Sequence, residues 1–187
     1  MNNMKNCNEK GVEPLDYKLL QGRTVLVFGA LTDEVVHKTV SSLLYLQEQD
    51  PCTPVKMYIN SEGGNETEGL AIFDVMRNLS CPVHTICVGK AHGAAALLLA
   101  GGEKGNRSAY ANSEIMLNQI ERDRTFGQAS DIELETEHLM AGKKRMNSLF
   151  AALCDRSDDE IALNMERKYW LFADRAKEYG LIDQVIG

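Results

Sequence analysis

Three apolar runs limit most sharply what this chain can become: "RTVLVFG" (23–29), "VKMYIN" (55–60) and "VHTICVG" (83–89). Each is short and rich in β-branched residues. Each is too continuous to leave one face in water, so it reads as a strand covered on both sides. Helical spacing fills the gaps. In residues 31–49, Val35, Val36, Val40, Leu43, Leu44 and Leu46 fall on or near one face. In residues 67–79, Leu70, Ile72, Phe73 and Met76 do the same. "DPCTP" and "CP" end the two helices. Strand and helix therefore alternate, which predicts an α/β fold with a mostly parallel sheet. In such sheets function gathers in loops beyond the carboxyl ends of strands. Two loops qualify, "NSEGG" and "GKAHG".

The second half continues the pattern with "EIML" as a short strand, a polar segment over 118–126 and an amphipathic helix over 130–154. Ser157 and Glu160 have capping-box spacing and start another helix. "YWLFA" and "GLIDQVI" read as strand-like pieces around a helical turn. Residues 1–16 read as a flexible arm, and 17–187 as one domain of ordinary size. The polar start has no apolar core of a secretory signal, and the longest apolar stretch, 94–100, is too short to span a bilayer. A net charge of −7 argues against nucleic acid as the main partner. Cys7, Cys52, Cys81, Cys87 and Cys154 are scattered and form no CxxC pair, so no metal site is signalled. They read as reduced thiols of a cytoplasmic protein, with Cys87 a small core residue.

The stretch "VGKAHGAAALLLAGG" has the shape of a strand–turn–helix joint that presents a nucleophile. The turn holds His92, Gly93 and Ala94, with no serine, threonine or cysteine. His92 can be read as a base or as a packing residue, and no hydroxyl between Ile86 and Arg107 could serve it. Ser61, before the Gly63-Gly64 turn, is expected to bond the local backbone.

Several of these segments, in order, resemble the ClpP family, the proteolytic subunits of Clp protease. They are "YINSEGG", "EGLAIFDVM", "TICVGKA", "LLLAGGEKGNR", "EIMLNQ", "GQASDIE" and "AKEYGLIDQVI". The resemblance implies the ClpP/crotonase-like ββα superhelix with a strand–helix handle at about 118–154. It also implies a serine peptidase with a Ser-His-Asp triad and no cofactor or metal. Carried over, the serine falls on Gly93, the histidine on Asn118 in "MLNQI", and the aspartate on Asn164 in "DEIALNMERKYW". Glycine cannot be acylated, and a neutral amide neither takes a proton nor steadies an imidazolium. The expected reading is a catalytically silent, ClpR-like subunit.

The resemblance further implies that Gly63 and Gly64 form the oxyanion turn. The family's proline beside them is Glu62 here, whose charge would repel an oxyanion. Family members form seven-membered rings that stack in pairs through the handle. Gly127, Gln128, Ala129, Ser130 and Asp131 keep the handle's core, although Ser130 and Asp131 could equally serve as helix caps. The handle departs from the family before this motif, in the charged "IERDRTF", and Leu163 replaces an arginine used between rings. The family's AAA+ ATPase docks in an apolar rim pocket. Tyr58 fits that pocket and Lys56 does not, so docking on this subunit is expected to be weak. Two alternatives stay open: a homo-oligomeric ClpP-like scaffold with a non-proteolytic role, and a crotonase-type acyl-CoA enzyme using the Gly63-Gly64 turn.

Overall fold

The computed structural model describes residues 15–119 and 127–187. Its sheet has β1 (Thr24–Leu31), β2 (Val55–Gly64), β3 (Val83–His92), β4 (Arg107–Tyr110), β5 (Glu114–Leu117), β6 (Tyr169–Phe172) and β7 (Gln184–Ile186). The order is β1-β2-β3-β4-β7, all parallel, and β5 pairs with β3 on one side and antiparallel with β6 on the other. β3 can serve two neighbours because it changes partner along its length. Thr85, Ile86 and Cys87 pair with β4, and Lys90, Ala91 and His92 pair with β5. The break falls at Gly89, whose φ of 85° lets the strand bend between the two registers.

The helices are α1 (Leu15–Gln21), α2 (Asp33–Gln49), α3 (Glu66–Asn78), α4 (Ala94–Ala100), α5 (Ala129–Cys154), α6 (Asp158–Asn164) and α7 (Ala173–Tyr179). α4 is apolar all round and every residue in it is buried, as an all-apolar helix must be. With Val27, Met57, Ile59 and Cys87 beside it, it forms the centre of the core. No basic residue closes the last turn of α2. Arg23 does that work from β1's approach. Its guanidinium donates to the carbonyls of Leu46, Asp50, Thr53 and Pro54, satisfying the helix end and the loop after it.

The α/β alternation is as expected, with seven helices and a mostly parallel sheet among the described residues. Four details differ. α1 begins at Leu15, inside the expected arm, and the remainder of that arm lies outside the described residues. β4 is an additional strand, too short and polar to register as a period. The "SEGG" segment is the end of β2 and not a turn, because β1 continues alongside it and pairs Ala30 with Gly63 and Leu31 with Gly64. Gln128 is the N-cap of α5, so Ser130 and Asp131 lie in its first turn instead of capping it. The capping box is present as expected, the Ser157 side chain accepting from the Glu160 N–H. The segment 120–126 of the expected handle lies outside the described residues. No helix among the described residues is long and apolar enough to cross a membrane.

Candidate active site

The joint between β3 and α4 is a tight elbow. Gly93 has φ 53° and ψ −116°, a backbone shape that side-chain-bearing residues adopt only under strain. Its N–H donates to the Met116 carbonyl of β5 at 2.8 Å, and its carbonyl starts α4 by accepting from Leu97. A Cβ built on Gly93 would come within 2.7 Å of Asn118 Oδ1. The structure therefore brings Gly93 and Asn118 together. A side chain on the first would point at the second, the geometry a nucleophile and its base require. Neither group present can do that chemistry. An alanine at 93 would carry the strain without gaining a nucleophile. Gly93→Ala should cost about 1–3 kcal/mol, seen as a lower midpoint in urea unfolding. An unchanged midpoint would show that residue 93 does not hold this conformation.

Asn164 is not part of this pair. It ends α6, its amide donates to the Tyr179 hydroxyl at 2.9 Å, and no hydrogen bond among the described residues joins it to Asn118. The β5–β6 register sets Leu117 opposite Tyr169. One residue beyond that last pair, the chain carries Asn118 after β5 and Lys168 before β6. The sequence hid this because β6 is only four residues long and its pairing partner lies more than fifty residues away.

The Gly-Gly turn lies directly against the elbow. A Cβ on Gly63 would stand 2.5 Å from the His92 carbonyl oxygen, and φ of 85° also requires glycine there. Its N–H, the natural oxyanion donor, is already committed to the buried Ser61 hydroxyl at 3.0 Å. Ser61 thus bonds the local backbone, as its position suggested. Glu62 is held by a neighbouring cation. It is exposed and pairs with Lys90 at 2.8 Å, whose hydrogen bond is the main reason its carboxyl titrates below the ordinary value. Lys90 therefore offsets the charge from which repulsion is expected.

Among the described residues, the thiol carried by β3 does not stand in for the missing nucleophile. Cys87 is fully buried on β3, and burial pushes its thiol up to about 11 against the opposing hydrogen bond from Ser113. A thiol held protonated at neutral pH is inert. Among the described residues no three His, Cys, Asp or Glu side chains cluster to hold a metal ion. His92 sits one residue before the elbow, with its ring against Trp170 and not over Gly93. Sequence reasoning also missed Arg145, which reaches from α5 to Glu66 at the start of α3 at 2.7 Å and ties the handle helix to the element behind the Gly-Gly turn.

A mostly parallel sheet, a glycine-tight elbow into a buried helix and an asparagine where the elbow's side chain would point define an α/β scaffold of nucleophile-elbow shape that carries no nucleophile at that elbow. The sequence model of the Clp protease family matches residues 9–187, and the chain belongs to that family.

Proposed function

We propose that this chain is a non-catalytic subunit of a Clp-type protease complex, contributing to ring assembly and regulation instead of peptide hydrolysis. One observation carries the reading. The elbow and its neighbour are kept in position while their reactive groups are glycine and an amide. In the triads where it has been measured, loss of the nucleophile or base alone costs about 10⁶ in turnover. The committed Gly63 N–H supports the same reading, and it weighs against a crotonase-type use of that turn.

In this proposal residues 17–187 act as one domain. It takes its place beside ClpP-family subunits in seven-membered rings stacked in pairs. Gly127, Gln128, Ala129, Ser130 and Asp131 lead into the stacking helix. The first half of α5 supports this role, since it has no buried residue before Gly142 and exposes Ile132, Leu134 and Met140. The same exposed half-helix also suits the second reading, a homo-oligomeric scaffold. ATPase docking is left to partner subunits, because Lys56 is exposed beside the half-buried Tyr58. A reducing cytoplasm suits the buried, unpaired Cys81, Cys87 and Cys154.

Coexpression with an intact ClpP-family subunit from the same cell, followed by native mass spectrometry and a fluorogenic-peptide assay, tests this. Mixed rings, with no turnover by this chain alone, are expected. Rings of this chain alone that exclude the intact subunit would favour the scaffold. Turnover by the purified chain would overturn both.

A further inference from the structure

The outer side of the elbow holds a cluster that the triad positions do not use. His92 closes β3, and its ring meets the Trp170 ring edge-on at 5.1 Å and 84°. The His92 side chain is only 12% exposed, and its Nε2 is buried without a hydrogen bond. The nearest acceptor, Glu114 Oε1, lies 3.3 Å away but off the line that a hydrogen bond needs. Glu114 lies on β5, opposite Lys90 on one side and Phe172 on the other. Lys90 gives its ammonium to Glu62. The Glu114 carboxylate, 41% exposed, has no hydrogen-bond partner among the described residues. A buried ring nitrogen left unpaired beside a carboxylate is costly, and one proton changes its balance.

We propose that His92, Glu114 and Trp170 form a proton-operated latch between β3 and the β5–β6 arm, closed while the imidazole is neutral and loosened when it takes up a proton. Among the described residues the charged groups facing His92 are Glu114 on β5, Lys90 on its own strand and Glu62 at the end of β2. Burial opposes the cation most strongly. Glu114 favours it, Lys90 opposes it and Glu62 favours it weakly. The net effect places His92 below the ordinary 6.5.

The sign follows. The unfolded chain binds the proton more readily, so the latch's contribution is complete above about pH 6.5 and falls as pH drops toward the folded value. A protonated ring must turn to align with Glu114 or reach water, and either motion takes it off the Trp170 edge. The strands it joins carry Gly93, Asn118 and Lys168 at or next to their ends. One proton would thus loosen all three sides of the elbow together. The latch does not depend on the subunit being catalytically silent.

Trp170 is the only tryptophan in the chain, so its emission reports on the surroundings of this one ring. It would be followed in the full-length protein from about pH 8 to about pH 4.5, with far-UV circular dichroism in parallel to separate the transition from unfolding. One emission transition is expected with a midpoint below 6.5. His92→Gln should abolish it. Glu114→Gln should move the midpoint down and Lys90→Met should move it up. If His92→Gln does not fold, the two charge variants decide, since both side chains are partly in water. A transition that survives in folded His92→Gln, a midpoint at or above 6.5, or midpoints unmoved by both charge changes overturns the latch.

Discussion

Arg107→Met should destabilise the fold by about 3–5 kcal/mol, the range for breaking a buried ion pair. Arg107 is 3% exposed on β4. Its Nε and Nη2 donate to the two oxygens of Asp183 at 2.9 and 2.6 Å, and Nη1 donates to the carbonyls of Leu153 and Ala100. One guanidinium therefore joins β4, the approach to β7, and the ends of α4 and α5. Asp183 also accepts from the Gly105 and Arg107 backbone N–H groups. Removing the arginine leaves Asp183 with only its two backbone donors and takes the side-chain donor from the Ala100 and Leu153 carbonyls. That loss is a large part of the total stability of a domain, typically about 5–15 kcal/mol. Urea unfolding near pH 7 reads it. Asp183→Asn keeps the backbone acceptor and loses the charge, so the double variant should cost little more than Arg107→Met alone. Full additivity of the two single effects would show that the pair does not act as a unit.

The same pair sets an acid limit. Burial alone would raise the Asp183 carboxyl, but the hydrogen bonds from Arg107, its charge and the two backbone donors outweigh burial and hold it below the ordinary value. A depressed folded pKa means that the pair's contribution is complete above the unfolded value of about 3.9 and is lost as pH falls through the folded one. In Arg107→Met only burial and the backbone donors remain, so acid unfolding should begin at a higher pH than in the parent.

What the sequence made legible follows the range of the forces concerned. β1, β2, β3, α2 and α3 were readable because each buries a run or a face long enough to show a period. The ends of β2 and β3 were not, since what keeps Gly63 and Gly64 in a strand is the neighbouring β1 and not their own preference. β4 was hidden because its buried Arg107 and Ser108 are polar residues whose partners lie elsewhere in the chain. At the site, the elbow could be read from one local stretch, and Asn118 could be placed only through the family resemblance. The contact of His92 with Trp170 joins residues seventy-eight positions apart, and no periodicity foretells it. Asn164 shows the converse. The family resemblance assigns it to the site, whereas its hydrogen bond goes to Tyr179.

That placement changes what a rebuilt site needs. Gly93→Ser alone should give no peptide hydrolysis above background, because Asn118 cannot take the serine's proton. Adding Asn118→His supplies a base within reach of the elbow, but leaves the Lys168 cation just before the strand paired with β5, where it disfavours the imidazolium that forms in the reaction. Adding Asn164→Asp should help little, since that side chain faces Tyr179. Adding Lys168→Asp instead removes the cation and sets a carboxylate one residue beyond the Leu117–Tyr169 pair, as residue 118 is on the other strand. It should raise turnover over the Gly93→Ser, Asn118→His pair by up to about 10⁴, the scale of an orienting carboxylate's contribution. The gain will be tempered by the strain of a side chain at residue 93 and by the Gly63 N–H, which must leave Ser61 to meet an oxyanion. A fluorogenic peptide and an active-site serine probe read the outcome, the probe reporting acylation even where turnover is slow. Strong activity from Gly93→Ser alone would mean that another group already acts as the base. A larger gain from Asn164→Asp than from Lys168→Asp would show that the strand register at β6 does not set the third position.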